Sequence, residues 1–195
     1  MSQTSFQLEE HEGVSFLRLE SDEGTNRLTH ACVVSLSETL HGLRHEARPL
    51  VIAGNSRFFS AGANLEEIAT LNGPAAYQFS RLGQGLMATI ENFPAPVYAA
   101  ISGYCMGGGL DLALSCHRRI ASPNAIFGHR GAALGLITGW GGTQRLPRLI
   151  GKARAVEMFV AAEKVNAAQA LRMGLIDRIA EDPIAETCRW IRDTR

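Results

Sequence analysis

An α/β fold follows from three features of the sequence. Two short apolar runs, residues 50–53 and 97–101, have the length and composition of buried strands. Around them apolar residues recur at helical spacing, as Val33, Leu36, Leu40 and Leu43 do, and again Phe79, Leu82, Leu86 and Ile90. The 195 residues are 46% hydrophobic and 19% charged, enough apolar mass for a substantial core. The expected organisation is one domain over residues 1–195 with its core at about 14–180. No repeat, low-complexity tract or linker divides it.

Residues 14–20 alternate apolar and polar and read as a strand. A helix follows over 29–44. Pro49 opens the strand 50–53, and Gly54-Asn55 ends it. Residues 58–64 read as a loop of small residues, from which Asn64 caps a short helix, 65–70. Asn72-Gly73-Pro74 is a break before the helix carrying Phe79 to Ile90, which Pro94 and Pro96 close. The strand 97–101 feeds a glycine-rich turn and then a helix. Residues 117–121 and 125–128 read as strands, and 142–149 and 153–161 as helices. Asn166 starts a helix that Gly174 ends; 175–179 reads as a strand and 183–193 as a last amphipathic helix.

Lys+Arg and Asp+Glu both number 19, so no basic surplus exists to displace counterions from nucleic acid. No apolar run reaches the length of a membrane span. Residues 1–10 are polar and acidic, unlike a signal peptide. Cys32, Cys105, Cys116 and Cys188 show no CxxC spacing and read as small apolar residues in a reducing compartment. The expectation is a cytoplasmic protein without a metal site.

The chemistry concentrates in two loops. Gly103-Tyr104-Cys105-Met106-Gly107-Gly108-Gly109-Leu110-Asp111 follows a strand and opens a helix. Bare backbone and free amides at a helix start suit a phosphate or a developing oxyanion. They also suit close strand–helix packing. The Walker pattern fails, because no Lys-Ser/Thr pair follows the glycines, and the GxGxxG spacing is wrong. The second loop, Phe58-Phe59-Ser60-Ala61-Gly62-Ala63-Asn64, also joins a strand to a helix. Two such loops can each offer one amide to the same oxygen.

Four segments together resemble the crotonase (enoyl-CoA hydratase/isomerase) superfamily in order and spacing: FFSAGANLEEI, ISGYCMGGGLDLALSCHRRIAS, FGHRGAALGLITGWGGTQRLPRLIGKARAVEM and NAAQALRMGLIDRI. The resemblance implies a spiral of ββα turns and an acyl-CoA thioester ligand, with a place in fatty-acid metabolism. Matched motif by motif, the oxyanion-hole amides fall on Ala63 and Gly108. Ala61, Gly62, Ala63, Asn64 and Gly107 would lie along the thioester and CoA, and Arg27 on a CoA-contacting loop. Trp140 would line the acyl pocket or pack the core.

Hydratases of the family use two glutamates, since adding water across a double bond needs two proton transfers. The first position here is Asp111, a carboxylate one methylene shorter. The second is Gly131, which transfers no proton. The further aspartates of dienoyl isomerases and of dihydroxynaphthoyl-CoA synthases fall on Gly139 and Thr138. Asp111 alone could shuttle one proton, as an isomerase requires. His129, Arg130, Glu66 or Glu67 could assist, or a bound bicarbonate could replace the carboxylate missing at Gly131. No other cofactor is implied, CoA being part of the substrate. Cys105 lacks a placed base and does not read as a nucleophile.

Family members usually continue past the last motif with a helical tail that covers the acyl pocket and supports trimers. Here only the short segment 183–195 stands in that place, which puts trimerisation through such a tail in doubt. The resemblance thus implies a homo-oligomer, trimer or hexamer, or a companion subunit. The leading expectation is a lyase or isomerase of the hydratase/isomerase type. The alternatives are a weak or inactive acyl-CoA-binding subunit, and a decarboxylase or thioester hydrolase on the same site.

Overall fold

The structure, a computed structural model, describes residues 4–194. It opens with a hairpin of β1 (Thr4–His11) and β2 (Val14–Ser21). Glu12 and Gly13 turn it, both at positive φ, as a two-residue hairpin loop requires. The strand β1 was not expected from the sequence. It is an edge strand with one neighbour, and most of its polar side chains face outward.

A repeating unit of strand, strand, helix follows. β2 leads to β3 (Arg27–Leu28) and α1 (His30–Leu43). β4 (Leu50–Ala53) leads to β5 (Phe58–Ser60), β6 (Gly62–Ala63), α2 (Leu65–Ala69) and α3 (Gly73–Glu91). β7 (Val97–Ile101) leads to β8 (Tyr104–Met106) and α4 (Gly108–Ser115). β9 (Arg118–Ala121) leads to β10 (Ile126–Gly128), α5 (Gly142–Ile150) and α6 (Lys152–Ala161). The chain closes with β11 (Val165–Asn166), α7 (Ala167–Met173), β12 (Arg178–Ile179) and α8 (Pro183–Asp193). The first strand of each unit joins a sheet ordered β1-β2-β4-β7-β9-β12. The second joins β11-β10-β8-β5 or the pair β3-β6. This is the expected spiral of ββα turns.

The larger sheet is covered on both faces, which is why β4 and β7 are apolar throughout. Leu50, Ile52, Val97, Ala99 and Ile101 enter the main core with the helices. Their neighbours Val51, Ala53, Tyr98 and Ala100 enter a second core with Ile191 of α8. Trp190 of α8 lies under the guanidinium groups of Arg118 and Arg178, 5.7 and 3.9 Å from its ring centre.

Two expectations need correction. Residues 58–64 are not a loop throughout: Phe58 and Ser60 pair with β8, and Gly62 and Ala63 with β3. The strand expected over 175–179 shrinks to Arg178–Ile179, because the Leu175 amide closes α7 on the Ala170 carbonyl at 2.8 Å. The helix starts hold. Thr29, Asn64, Asn72 and Asn166 each accept an amide of the first turn they cap.

Candidate active site

The parallel pairing of β5 with β8 carries the two small-residue loops to the same place. Gly62 has φ +96°, and a Cβ there would lie 2.6 Å from the Met106 carbonyl oxygen and 2.9 Å from the Gly108 nitrogen. Only glycine lets the loops approach this closely. From the other side, a Cβ on Gly108 would lie 3.2 Å from the Ala63 nitrogen. The two amides are therefore near neighbours. Gly108 is the first residue of α4, so its amide precedes the first intrahelical bond and sits at the positive end of the helix dipole.

One turn into α4, Asp111 is 1% exposed. The Thr138 hydroxyl donates to its Oδ2, and His129 Nε2 lies 3.3 Å from its Oδ1. Burial pushes the Asp111 carboxyl up to about 7. The Thr138 hydrogen bond, the Arg145 charge and the Gly142 amide pull it back only in part. His129 is also buried, and burial lowers it to about 4, so its imidazole is neutral at physiological pH. Its ring packs 5.1 Å from that of Phe159.

These groups border a cavity of about 280 Å³. Its polar end holds Ala63, Gly108, Asp111, Thr138 and His129. The rest of the lining is mainly apolar, with Leu65, Ile68, Leu71, Phe79, Leu134, Leu136, Ile137 and Trp140. Trp140 is buried against the Phe79 ring at 5.2 Å and donates its indole N–H to the Phe79 carbonyl at 3.2 Å. It both lines the cavity and packs the core. A larger hollow of about 540 Å³ lies at α6 and α7 between charges of both signs, and no residue of this site borders it.

A model of the enoyl-CoA hydratase/isomerase family matches residues 9–190. The chain belongs to the enoyl-CoA hydratase/isomerase family. A probable enoyl-CoA hydratase of Bacillus subtilis is 42% identical over 160 residues, 80% of this chain and 62% of the relative. The chain thus spans less than two thirds of that relative's length. A crotonyl-CoA hydratase of Syntrophomonas wolfei is 34% identical over 177 residues, 89% of this chain and 68% of that protein. Among solved structures, an enoyl-CoA hydratase from Thermoplasma volcanium superposes with a TM-score of 0.92 at 30% identity. It is matched over 97% of this chain and 76% of its own. One from Bacillus anthracis gives 0.90 at 31%, over 97% and 75%.

Within this hydratase/isomerase fold, Ala61, Ala63, Gly107, Gly108, Asp111, His129, Arg130, Gly131 and Trp140 all border the one cavity. Five other residues singled out in the sequence do not. Gly62 stands behind it against Met106. The Asn64 side chain is engaged in capping α2. Glu66 and Arg27 face each other at 3.9 Å, and Arg27 also pairs with Glu23 at 3.7 Å. Glu67 accepts the His30 amide at the start of α1 at 2.7 Å, well away from Asp111 in role.

At Gly131 the Cβ direction is blocked: a Cβ would lie 2.7 Å from the Leu136 carbonyl oxygen. The Gly131 carbonyl accepts the amides of Leu134 and Leu136, both at 2.8 Å, and folds the segment into a tight turn. The place where a carboxylate side chain would begin is thus filled by backbone. Cys105 is fully buried and its thiol is pushed well up by burial, then by Cys116 and Asp111, which suits packing rather than nucleophilic attack. Thr138, as the hydrogen-bond partner of Asp111, was not foreseen from sequence. Nor was the apolar lining by Leu65, Ile68 and Leu71. Their spacing at every third residue across α2 and just past its end was the available signal.

Proposed function

We propose that this chain acts on acyl-CoA thioesters by moving one proton at a time through a thioester enolate, an isomerase-type reaction with Asp111 as the acid/base. In the ionised form Asp111 removes a proton from a carbon of the acyl chain. The C–H electron pair becomes a carbon–carbon π bond, and the thioester carbonyl becomes an enolate oxygen. The amides of Ala63 and Gly108 hold that oxygen. Asp111 then returns the proton to a different carbon, so the atoms balance without water or a further cofactor.

The supporting observation is Asp111 itself. It is a carboxyl held near neutrality by burial, at the polar end of an apolar cavity and in the first turn after the amides. Hydration is disfavoured because the second proton-transfer position is Gly131 and the space beside it is occupied by the Leu136 carbonyl. The same filling disfavours a bicarbonate there. The four free cysteines fit a cytoplasmic setting. Val156 and Val160, exposed one turn apart on α6, fit a homo-oligomer or companion-subunit contact.

The test is mass spectrometry of a panel of saturated, enoyl, dienoyl and carboxylated acyl-CoA thioesters incubated with the protein in heavy water. Deuterium uptake or double-bond migration without a mass gain of water supports the reading. Water addition, loss of carbon dioxide or release of free CoA would name a different reaction on the same site. A panel returned unchanged but bound would replace enzyme by acyl-CoA-binding subunit.

A further inference from the structure

Two buried polar atoms face each other at the site, Asp111 Oδ1 and His129 Nε2, 3.3 Å apart, neither in a well-aligned side-chain hydrogen bond; the Gly142 amide is the other donor acting on the carboxyl. We infer that His129 is the positioning residue for Asp111, its neutral imidazole presenting Nε2–H to Oδ1 whether the carboxyl is ionised or protonated. This rests on Asp111 being the acid/base.

Three independent features hold the pair in register. His129 directly follows β10, whose Gly128 pairs with Met106 and accepts the Gly107 amide at 2.9 Å. The strand end that carries the imidazole is thereby fastened to the turn that opens α4, the helix carrying the carboxylate. The imidazole is packed on Phe159 of α6. Finally, α5 approaches with Gly142. A Cβ there would collide with Asp111 Oδ1 and come within 3.0 Å of His129 Nε2, so glycine keeps the line between them clear.

The tautomer follows from hydrogen-bond accounting. With Nε2 protonated, a donor faces an acceptor across the 3.3 Å contact. With Nε2 bare, two acceptors would face each other whenever Asp111 is ionised. The other carboxyl oxygen is served by Thr138, whose hydroxyl donates to the carboxylate and, after rotation, accepts from the acid. Asp111 therefore gains and loses the substrate proton on Oδ2 while His129 gains and loses none. The remaining titratable groups around the carboxyl are Arg145 of α5, itself held by Glu91 at 2.7 Å, and the Cys105 thiol of β8. Arg130 also borders the cavity. Burial is what shifts His129. A donor on the ionised form favours that form, so losing it raises the Asp111 midpoint.

The test titrates the Asp111 carboxyl in the free protein by carbon-13 NMR of aspartate-labelled material, with the resonance assigned by its loss in Asp111→Asn. His129→Phe keeps a planar ring on Phe159 and removes the donor; His129→Gln keeps a donor. The expected result is an upward shift of about one pH unit in His129→Phe and little shift in His129→Gln. At pH 7 that lowers the base form about fivefold. Deuterium uptake from heavy water into crotonyl-CoA should move its pH midpoint in parallel. A His129→Phe curve that overlays the wild type overturns the inference, as does a His129→Gln curve displaced as far as that of His129→Phe. Where His129→Phe does not fold, His129→Met supplies the donorless comparison. Absence of any wild-type turnover would defeat the proposed function yet leave this titration readable, so the two failures are distinguishable.

Discussion

Gly131 and Leu136 are bound face to face. The Gly131 carbonyl accepts the Leu136 amide at 2.8 Å, and a Cβ on Gly131 would lie 2.7 Å from the Leu136 carbonyl oxygen. The turn therefore leaves no room for a side chain to start at Gly131. Restoring the glutamate should not restore hydration. Gly131→Glu is expected to cost roughly 1–3 kcal/mol from overpacking. It should give no gain in hydration of crotonyl-CoA, read by urea unfolding and by loss of the enoyl absorbance. A variant of full stability that hydrates crotonyl-CoA would refute this account of the turn.

Asp111→Asn should abolish deuterium exchange while leaving CoA-thioester binding nearly intact. It should also change stability with pH in a definite direction. The folded carboxyl titrates at about 7 against an ordinary 3.8. Its stabilising contribution is thus complete below about pH 4 and is lost as pH rises to about 7. Asn carries no such loss, so the variant should gain on the wild type between pH 4 and 8. The upper bound is roughly 4 kcal/mol at about 1.4 kcal/mol per pH unit. Chemical unfolding at pH 5 and pH 8 measures it.

His129 should act in the opposite sense. Its folded value is lowered from 6.5 to about 4, so the wild type loses stability as pH falls through that window. His129→Gln should flatten this acid limb, which unfolding between pH 4 and 7 would show. An unchanged limb would mean that the imidazole protonates in the folded protein.

Gly108→Ala tests the junction of the two loops. The added Cβ would sit 2.5 Å from the Trp140 ring and 3.2 Å from the Ala63 nitrogen. Disturbing one oxyanion donor typically costs about 10²–10³ in kcat. The expected loss is of that order, with KM moving less. A change confined to KM would place the oxyanion elsewhere.

Trp140 separates packing from catalysis. Trp140→Phe removes the bond to the Phe79 carbonyl and should cost about 1 kcal/mol with turnover largely kept. Trp140→Ala should cost roughly 3–5 kcal/mol and enlarge the cavity. Thermal unfolding, with activity on short and long acyl chains, distinguishes the two effects.

The covered strands and the capped helices were legible because their signals are local. Val97 to Ile101 is apolar on both faces, and Asn72 and Asn166 precede their helices with side chains that cap them. β1 was illegible because an edge strand needs only one partner and its exposed face is free to be polar. β5, β6 and β3 are two or three residues long, too short for any periodicity, and exist only through pairing with distant segments. That Ala63, Gly108 and Asp111 border one cavity was legible from two glycine-bearing loops and a carboxylate in the following turn. The partnership of Asp111 with His129 and Thr138 was not, since 18 and 27 residues separate them from it.

The sequence by itself determined the α/β class, the order of the main strands and helices, the two loops that meet at the cavity and the carboxylate Asp111 that follows one of them. Those properties reside in apolar spacing, caps and residue type, which act over a few neighbours. Tertiary structure alone decided the protonation of that carboxylate and the company it keeps. The Asp111 titration depends on how completely burial excludes water, which raises it, and on the Thr138 hydroxyl, the Arg145 charge and the Gly142 amide, which lower it. The closure of Gly131 depends on a carbonyl five residues away turning back onto it. Both are consequences of packing in three dimensions, where desolvation and contact are set by neighbours in space and not along the chain.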